Sequence, residues 1–76
     1  MKNNTQYDVY GNAHNAIETI DDGGSTLIFR LDDGMWMTRQ KVMGLGKLWD
    51  TETMAIQHRA FIENATVEHC KVWGSE

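Results

Sequence analysis

The chain has no proline and a single cysteine, Cys70. Without proline there is no stiff linker on which a second module could hang, and one thiol cannot close an internal disulfide. Long apolar runs are also missing. The opening MKNNTQYDVY offers neither a signal peptide nor a membrane span, so the expectation is a cytoplasmic protein without membrane contact. Basic charge is scarce: seven Lys and Arg stand against eleven Asp and Glu, a net charge of −4. That is the wrong sign for a protein that holds nucleic acid through phosphate contacts, so direct nucleic-acid binding is not expected.

What is present is enough for one domain. A chain of 76 residues buries only about 60% of the surface its unfolded form exposes, which leaves nothing for a second core. An apolar fraction of 41% with 24% charged residues is too apolar for a disordered segment. The polar residues 1–6 are expected to be flexible, and residues 7–76 to form the domain. Acid is unevenly placed. Residues 1–33 carry six acidic and two basic side chains, whereas residues 34–76 carry five of each. The excess negative charge therefore lies in the first half, where it can steer a basic partner.

Alternation of apolar and polar residues predicts a short strand in YDVY, ended by Gly11-Asn12. Residues 13–20 suit either a strand or two helical turns; the hairpin spacing that follows favours a strand from Asn15 to Ile20. The strongest pattern lies at STLIFRL and MWMTRQKV, two β-rich runs separated by Asp32-Asp33-Gly34. A three-residue loop with glycine in the left-handed position fits this spacing and sets Arg30 opposite Trp36, Phe29 opposite Met37 and Ile28 opposite Thr38. Leu27, Phe29, Leu31, Met35 and Met37 then share a core face. Ile28, Arg30, Trp36, Thr38 and Val42 share the other.

The two glycines of MGLGK predict a break in the sheet. Asp50 suits an N-cap, and Met54, His58, Phe61, Ile62 and Ala65 recur at helical spacing, so a helix is expected over Thr51 to Asn64 with that stripe on the sheet. TVEHCKVW alternates again and predicts a closing strand. The fold class is α+β: a small antiparallel β meander with one helix packed on it and a C-terminal strand, the alternative being an SH3-like small barrel in which both faces of the hairpin are buried.

No residue set points to an enzyme or a cofactor. His69 and Cys70 are adjacent and would face opposite sides of a strand, and His14 and His58 have no partner at metal-ligand spacing, so no metal site is expected. His58, on the apolar stripe, is expected to be a buried or boundary histidine bonded to a backbone carbonyl. Cys70 is expected to be a core thiol of low reactivity. The doublets Asp21-Asp22 and Asp32-Asp33 precede glycine and suit turns rather than catalysis or calcium binding. GLGK lacks the spacer and terminal hydroxyl of a phosphate loop.

What remains is surface. Trp36 and Ile28 on the second hairpin face, with Arg30, are residue types suited to an interface. The expected partner-binding set is Trp36, Ile28, Arg30, Asp21, Asp22, Asp32 and Asp33. In size, acidic balance and lack of a catalytic set, the chain is similar to the small inhibitors and accessory proteins encoded by phages, anti-CRISPR proteins among them; the resemblance covers no motif. It implies an inhibitor that occupies the binding surface of a host macromolecule, such as a nucleic-acid-binding protein. The alternatives are a nucleic-acid-binding accessory protein using Arg30, Trp36, Arg39 and Lys41, or a small-ligand binder. A homodimer is compatible with either.

Overall fold

Glycines in the left-handed region close three turns, at Gly11, Gly23 and Gly34, with φ of 85°, 88° and 88°. Each turn is tightened by the aspartates before it: Tyr10 N–H donates to Asp8 Oδ1, Gly23 N–H to Asp21 Oδ1, and Met35 N–H to Asp33 Oδ1. Such Asx bonds pre-shape the backbone for reversal. The computed structural model describes the backbone of residues 4–74 and the side chains of residues 4–64. Five strands, β1 (Thr5–Asp8), β2 (Ala13–Ile20), β3 (Thr26–Leu31), β4 (Trp36–Gln40) and β5 (Leu45–Trp49), precede one helix, α1 (Glu52–Gly74).

The strands form a closed barrel in chain order. Four neighbouring pairs are antiparallel. Because five is odd, an up-and-down meander leaves its first and last strands pointing the same way, and the closing β1–β5 pair is parallel. It is also the shortest seam, with Tyr7 opposite Leu45 and Asp8 opposite Gly46.

The β3–β4 hairpin has the register its sequence predicts. Arg30 faces Trp36, Phe29 faces Met37 and Ile28 faces Thr38, and Leu31 N–H donates to the Met35 carbonyl at 2.9 Å. Phe29, Leu31 and Met37 fill the barrel with Ala16, and Leu27, Met35 and Leu48 pack against them. Polar groups close both mouths. At one, His14 meets the buried Asp8. At the other, Arg39 lies over the Phe29 ring, its Cζ 5.4 Å from the centroid, while Nε donates to Gln6 Oε1 and Nη1 to the carbonyls of Gln40 and Met43.

Several expectations are corrected. Thr5 and Gln6, assigned to the flexible start, belong to β1, and Asn4 Nδ2 donates to Thr19 Oγ1. Residues 1–3 of that segment lie outside the described residues. The two glycines of MGLGK do not break the sheet: Gly46 sits inside β5, buried, at the point where the strand crosses Met37. The helix cap is Thr51 rather than Asp50, since Thr51 Oγ1 accepts the Met54 N–H at 3.2 Å. The buried stripe of α1 is turned toward Ala55, His58, Arg59 and Ile62, leaving Met54 exposed and Phe61 68% exposed, so Phe61 is not a core residue.

No closing strand follows. Residues 66–73 continue α1, because neither glycine nor proline interrupts the chain between Asn64 and Gly74, and a closed barrel has no free edge for a sixth strand. The side chains of Ala65, His69, Cys70 and Trp73 lie outside the described residues. Among the described residues, no helix is long and apolar enough to cross a membrane.

Candidate interaction surface

Helix α1 decides which outer face of the barrel is covered. It packs on β3, β4 and β5, and the residues that vanish from solvent there are Thr26, Ile28 and Thr38 from the sheet and Ala55 from the helix. The second face of the hairpin is therefore a second core layer over most of its length. Ile28, expected at a partner interface, is completely buried and has no surface to offer. Trp36 is half-buried and pairs across the sheet with Trp49. Trp49 in turn donates its indole N–H to the buried Thr38 hydroxyl at 2.9 Å. Arg30 remains exposed.

The four expected aspartates do not form one surface. Asp21 and Asp22 lie in the β2–β3 turn, where Asp21 pairs with Lys41 at 3.1 Å and Asp22 with Arg59 at 3.3 Å. The Gly23 N–H, and next Lys41, hold the Asp21 carboxyl below its ordinary range. Asp32 and Asp33 lie in the β3–β4 turn at the opposite end of the same strand. There Asn15 Nδ2 donates to Asp32, and Asp33 stands 3.8 Å from His14 Nδ1. The set Arg30, Trp36, Arg39 and Lys41 is likewise divided, since Arg39 plugs the barrel end and Lys41 is engaged by Asp21.

The Asp8–His14 pair anchors a polar cluster at the β1–β2 turn. His14 Nε2 lies 2.8 Å from Asp8 Oδ2, and Asp8 Oδ1 accepts the N–H groups of Tyr10 and Asn12. The bond from His14 is the largest influence and brings the Asp8 carboxyl down to about 2, against the opposing push of burial. This arrangement fixes the β1–β2 turn and the barrel mouth. Among the described residues, no group of three or more His, Cys, Asp or Glu side chains is placed to hold a metal ion. His58 is half-buried against the Trp49 ring, with centroids 4.8 Å apart, rather than on a backbone carbonyl. Burial, and then the nearby Lys47 charge, lower its pKa below the ordinary 6.5.

Helix α1 reaches the β1–β5 seam only from the β5 side, and its main contacts do not extend to β1 or β2. Tyr7 and Leu45, paired across the seam, are both exposed, as are Val9, Met43, the 85% exposed Tyr10 and the 90% exposed Val42. Val9, Met43 and Leu45 line a groove together with His58 and Ile62 of the helix. Val9 and Tyr10 also border a second hollow with Lys47 and Leu48. Lys47, which lies over the Trp49 ring at 5.2 Å, stands between the two hollows. Val9, Tyr10, Val42 and Met43 are apolar side chains in the turns, where polar ones are usual. That is the one sequence signal that marks them, and the hairpin-centred reading passes over it.

A scan against protein-family models, a search of curated proteins and a search of solved structures each found no match.

Proposed function

We propose that the chain is a protein-binding module whose partner seats on the β1–β5 seam beside α1. One observation carries this reading: Tyr7, Val9, Tyr10, Val42, Met43 and Leu45 are all exposed around the β1–β5 seam that closes the barrel beside the helix. Large apolar side chains gathered on a small domain mark an interaction surface more often than an idle one, and Tyr and Met are among the residue types enriched at interfaces.

An inhibitor that mimics nucleic acid draws less support, because Asp21 and Asp22 are paired within the chain and lie at the opposite end of the hairpin from Asp32 and Asp33. Occupation of a partner's apolar surface is the form of inhibition that fits the seam. A second copy of the chain is an admissible partner.

The test is a quantitative pull-down from cells of the source or its host, run with the wild type, Leu45→Asp, Val9→Asp and Trp36→Ala. Species captured by the wild type should be lost with both seam variants and kept with Trp36→Ala. The opposite pattern would return the interface to the hairpin. Sedimentation of the purified chain distinguishes self-association.

A further inference from the structure

A cavity of about 180 Å³ lies between α1 and the outer face of β4 and β5, opening onto the seam. Its walls are mostly apolar, with Met43, Leu45 and Ile62 among them, but two polar groups in its lining stand out. The first is Thr26. It is 1% exposed, and among the described residues its hydroxyl has no hydrogen-bond partner. A buried hydroxyl without a partner is rare in folded proteins and calls for a physical reason. Thr38, beneath the same helix, shows the ordinary case, since its hydroxyl accepts from Trp49.

The second group is Lys47. Its ammonium rests over the Trp49 ring, and among the described residues it forms no ion pair, whereas Lys41 and Arg59 each have an aspartate. The exposed Lys47 ammonium and the orphaned Thr26 hydroxyl therefore line one cavity, together with Arg39, whose Nε and Nη1 are already bonded to Gln6 and to the carbonyls of Gln40 and Met43. His58, also in the lining, does not add a second positive charge at neutral pH, because burial and Lys47 keep it neutral.

We propose that this cavity binds a small apolar monocarboxylate, with its anionic head on Lys47, its hydrocarbon body against Met43, Leu45 and Ile62, and the Thr26 hydroxyl as a further hydrogen-bond donor. Size supports a single ring rather than a longer chain: a cavity of roughly 150 Å³ holds benzene, so this one has room for a ring with one carboxylate. The polarity of the site selects against the alternatives. A neutral hydrocarbon leaves the buried Thr26 hydroxyl without a partner. A phosphate dianion places a second charge against walls whose other cation, Arg39, is already engaged by Gln6 and two carbonyls. The cavity shares Val9 and Leu45 with the seam, so the inference is tested at Lys47 and Thr26, which the partner test leaves unchanged, and with a free small molecule.

The test titrates phenylacetate, and separately phenylacetamide, into the purified full chain, followed by the ring resonances of His58 and Trp49. Saturable binding of phenylacetate, about tenfold tighter than the amide, is the expected result, a preference of the size a charge-assisted hydrogen bond confers. Lys47→Met, at an exposed position that keeps most of the stem, should abolish the preference. Thr26→Val should weaken binding of the acid. Equal binding of acid and amide, an unchanged preference in Lys47→Met, or no saturation at all would overturn the proposal. If Thr26→Val fails to fold by circular dichroism, Lys47→Met alone decides the outcome.

Discussion

Gly46 on β5 lies so close to Met37 on β4 that a methyl group in place of its hydrogen would overlap the Met37 thioether, with the Thr38 carbonyl only 3.1 Å away. Met37 is fully buried in the barrel, so its thioether can give way only by repacking against its core neighbours. Gly46→Ala should therefore destabilise the fold by about 1–3 kcal/mol, the usual cost of overpacking a core. Urea unfolding measures it, and a double-mutant cycle with Met37→Ala should show the cost of the added methyl shrinking when the thioether is gone. A Gly46→Ala variant as stable as the wild type would place the two strands further apart than described.

The two apolar positions most easily confused in the sequence separate cleanly in the fold. Ile28 is completely buried under the helix, whereas Phe61 is on the outer side of α1. Ile28→Ala should cost about 2–5 kcal/mol. Phe61→Ala should change stability by no more than about 0.5 kcal/mol, as surface substitutions do. A large loss in the second and none in the first would mean that α1 is rotated about its axis.

Acid should weaken the fold in two stages, with a defined sign. Burial and Lys47 lower the His58 pKa, so below 6.5 the unfolded chain takes up a proton more readily than the folded one and stability begins to fall. The Asp8 carboxyl is lowered from 3.8 to about 2. Its contribution is complete above 3.8 and is lost as the pH falls through 2. Asp21 acts in the same sense. The urea midpoint should decline gently below pH 6.5 and more steeply below about pH 4. Asp8→Asn should be less stable at neutral pH and lack much of the steep stage. A midpoint independent of pH from 7 to 3 would contradict the buried Asp8–His14 pair.

The β3–β4 hairpin is legible from sequence because everything that sets it is local: Asp33 and Gly34 shape the loop, and alternation from Leu27 to Met37 sorts the faces. Strand β5 is not legible in this way. Gly46 reads as a breaker until the thioether of Met37, nine residues earlier, is brought against it from the neighbouring strand. The helix stripe is ambiguous because His58 and Ile62 belong to two overlapping patterns. The choice falls to the one whose neighbours, Ala55 and Arg59, meet the sheet and Asp22. Residues 66–73 satisfy both a two-residue and a helical period, and only barrel closure excludes the strand.

The seam is hidden for a related reason. Tyr7 and Leu45 become neighbours only when the first and last strands meet, so no window of sequence contains the surface. Trp36 and Ile28 attract attention because they sit on a readable hairpin face, but that face is the one α1 covers.

The functional reading rests on α1 burying the outer face of β3 and β4 while Val9, Val42, Met43 and Leu45, around the β1–β5 seam, stay exposed beside it. The most direct test is methyl NMR of the intact chain with a soluble paramagnetic probe. The methyl signals of Val9, Val42, Met43 and Leu45 should be strongly attenuated, while those of Ile28 and Ala55 stay sharp. Attenuation of Ile28 together with protection of Val9 and Leu45 would contradict the account, because it would place the helix over the seam and expose the hairpin instead.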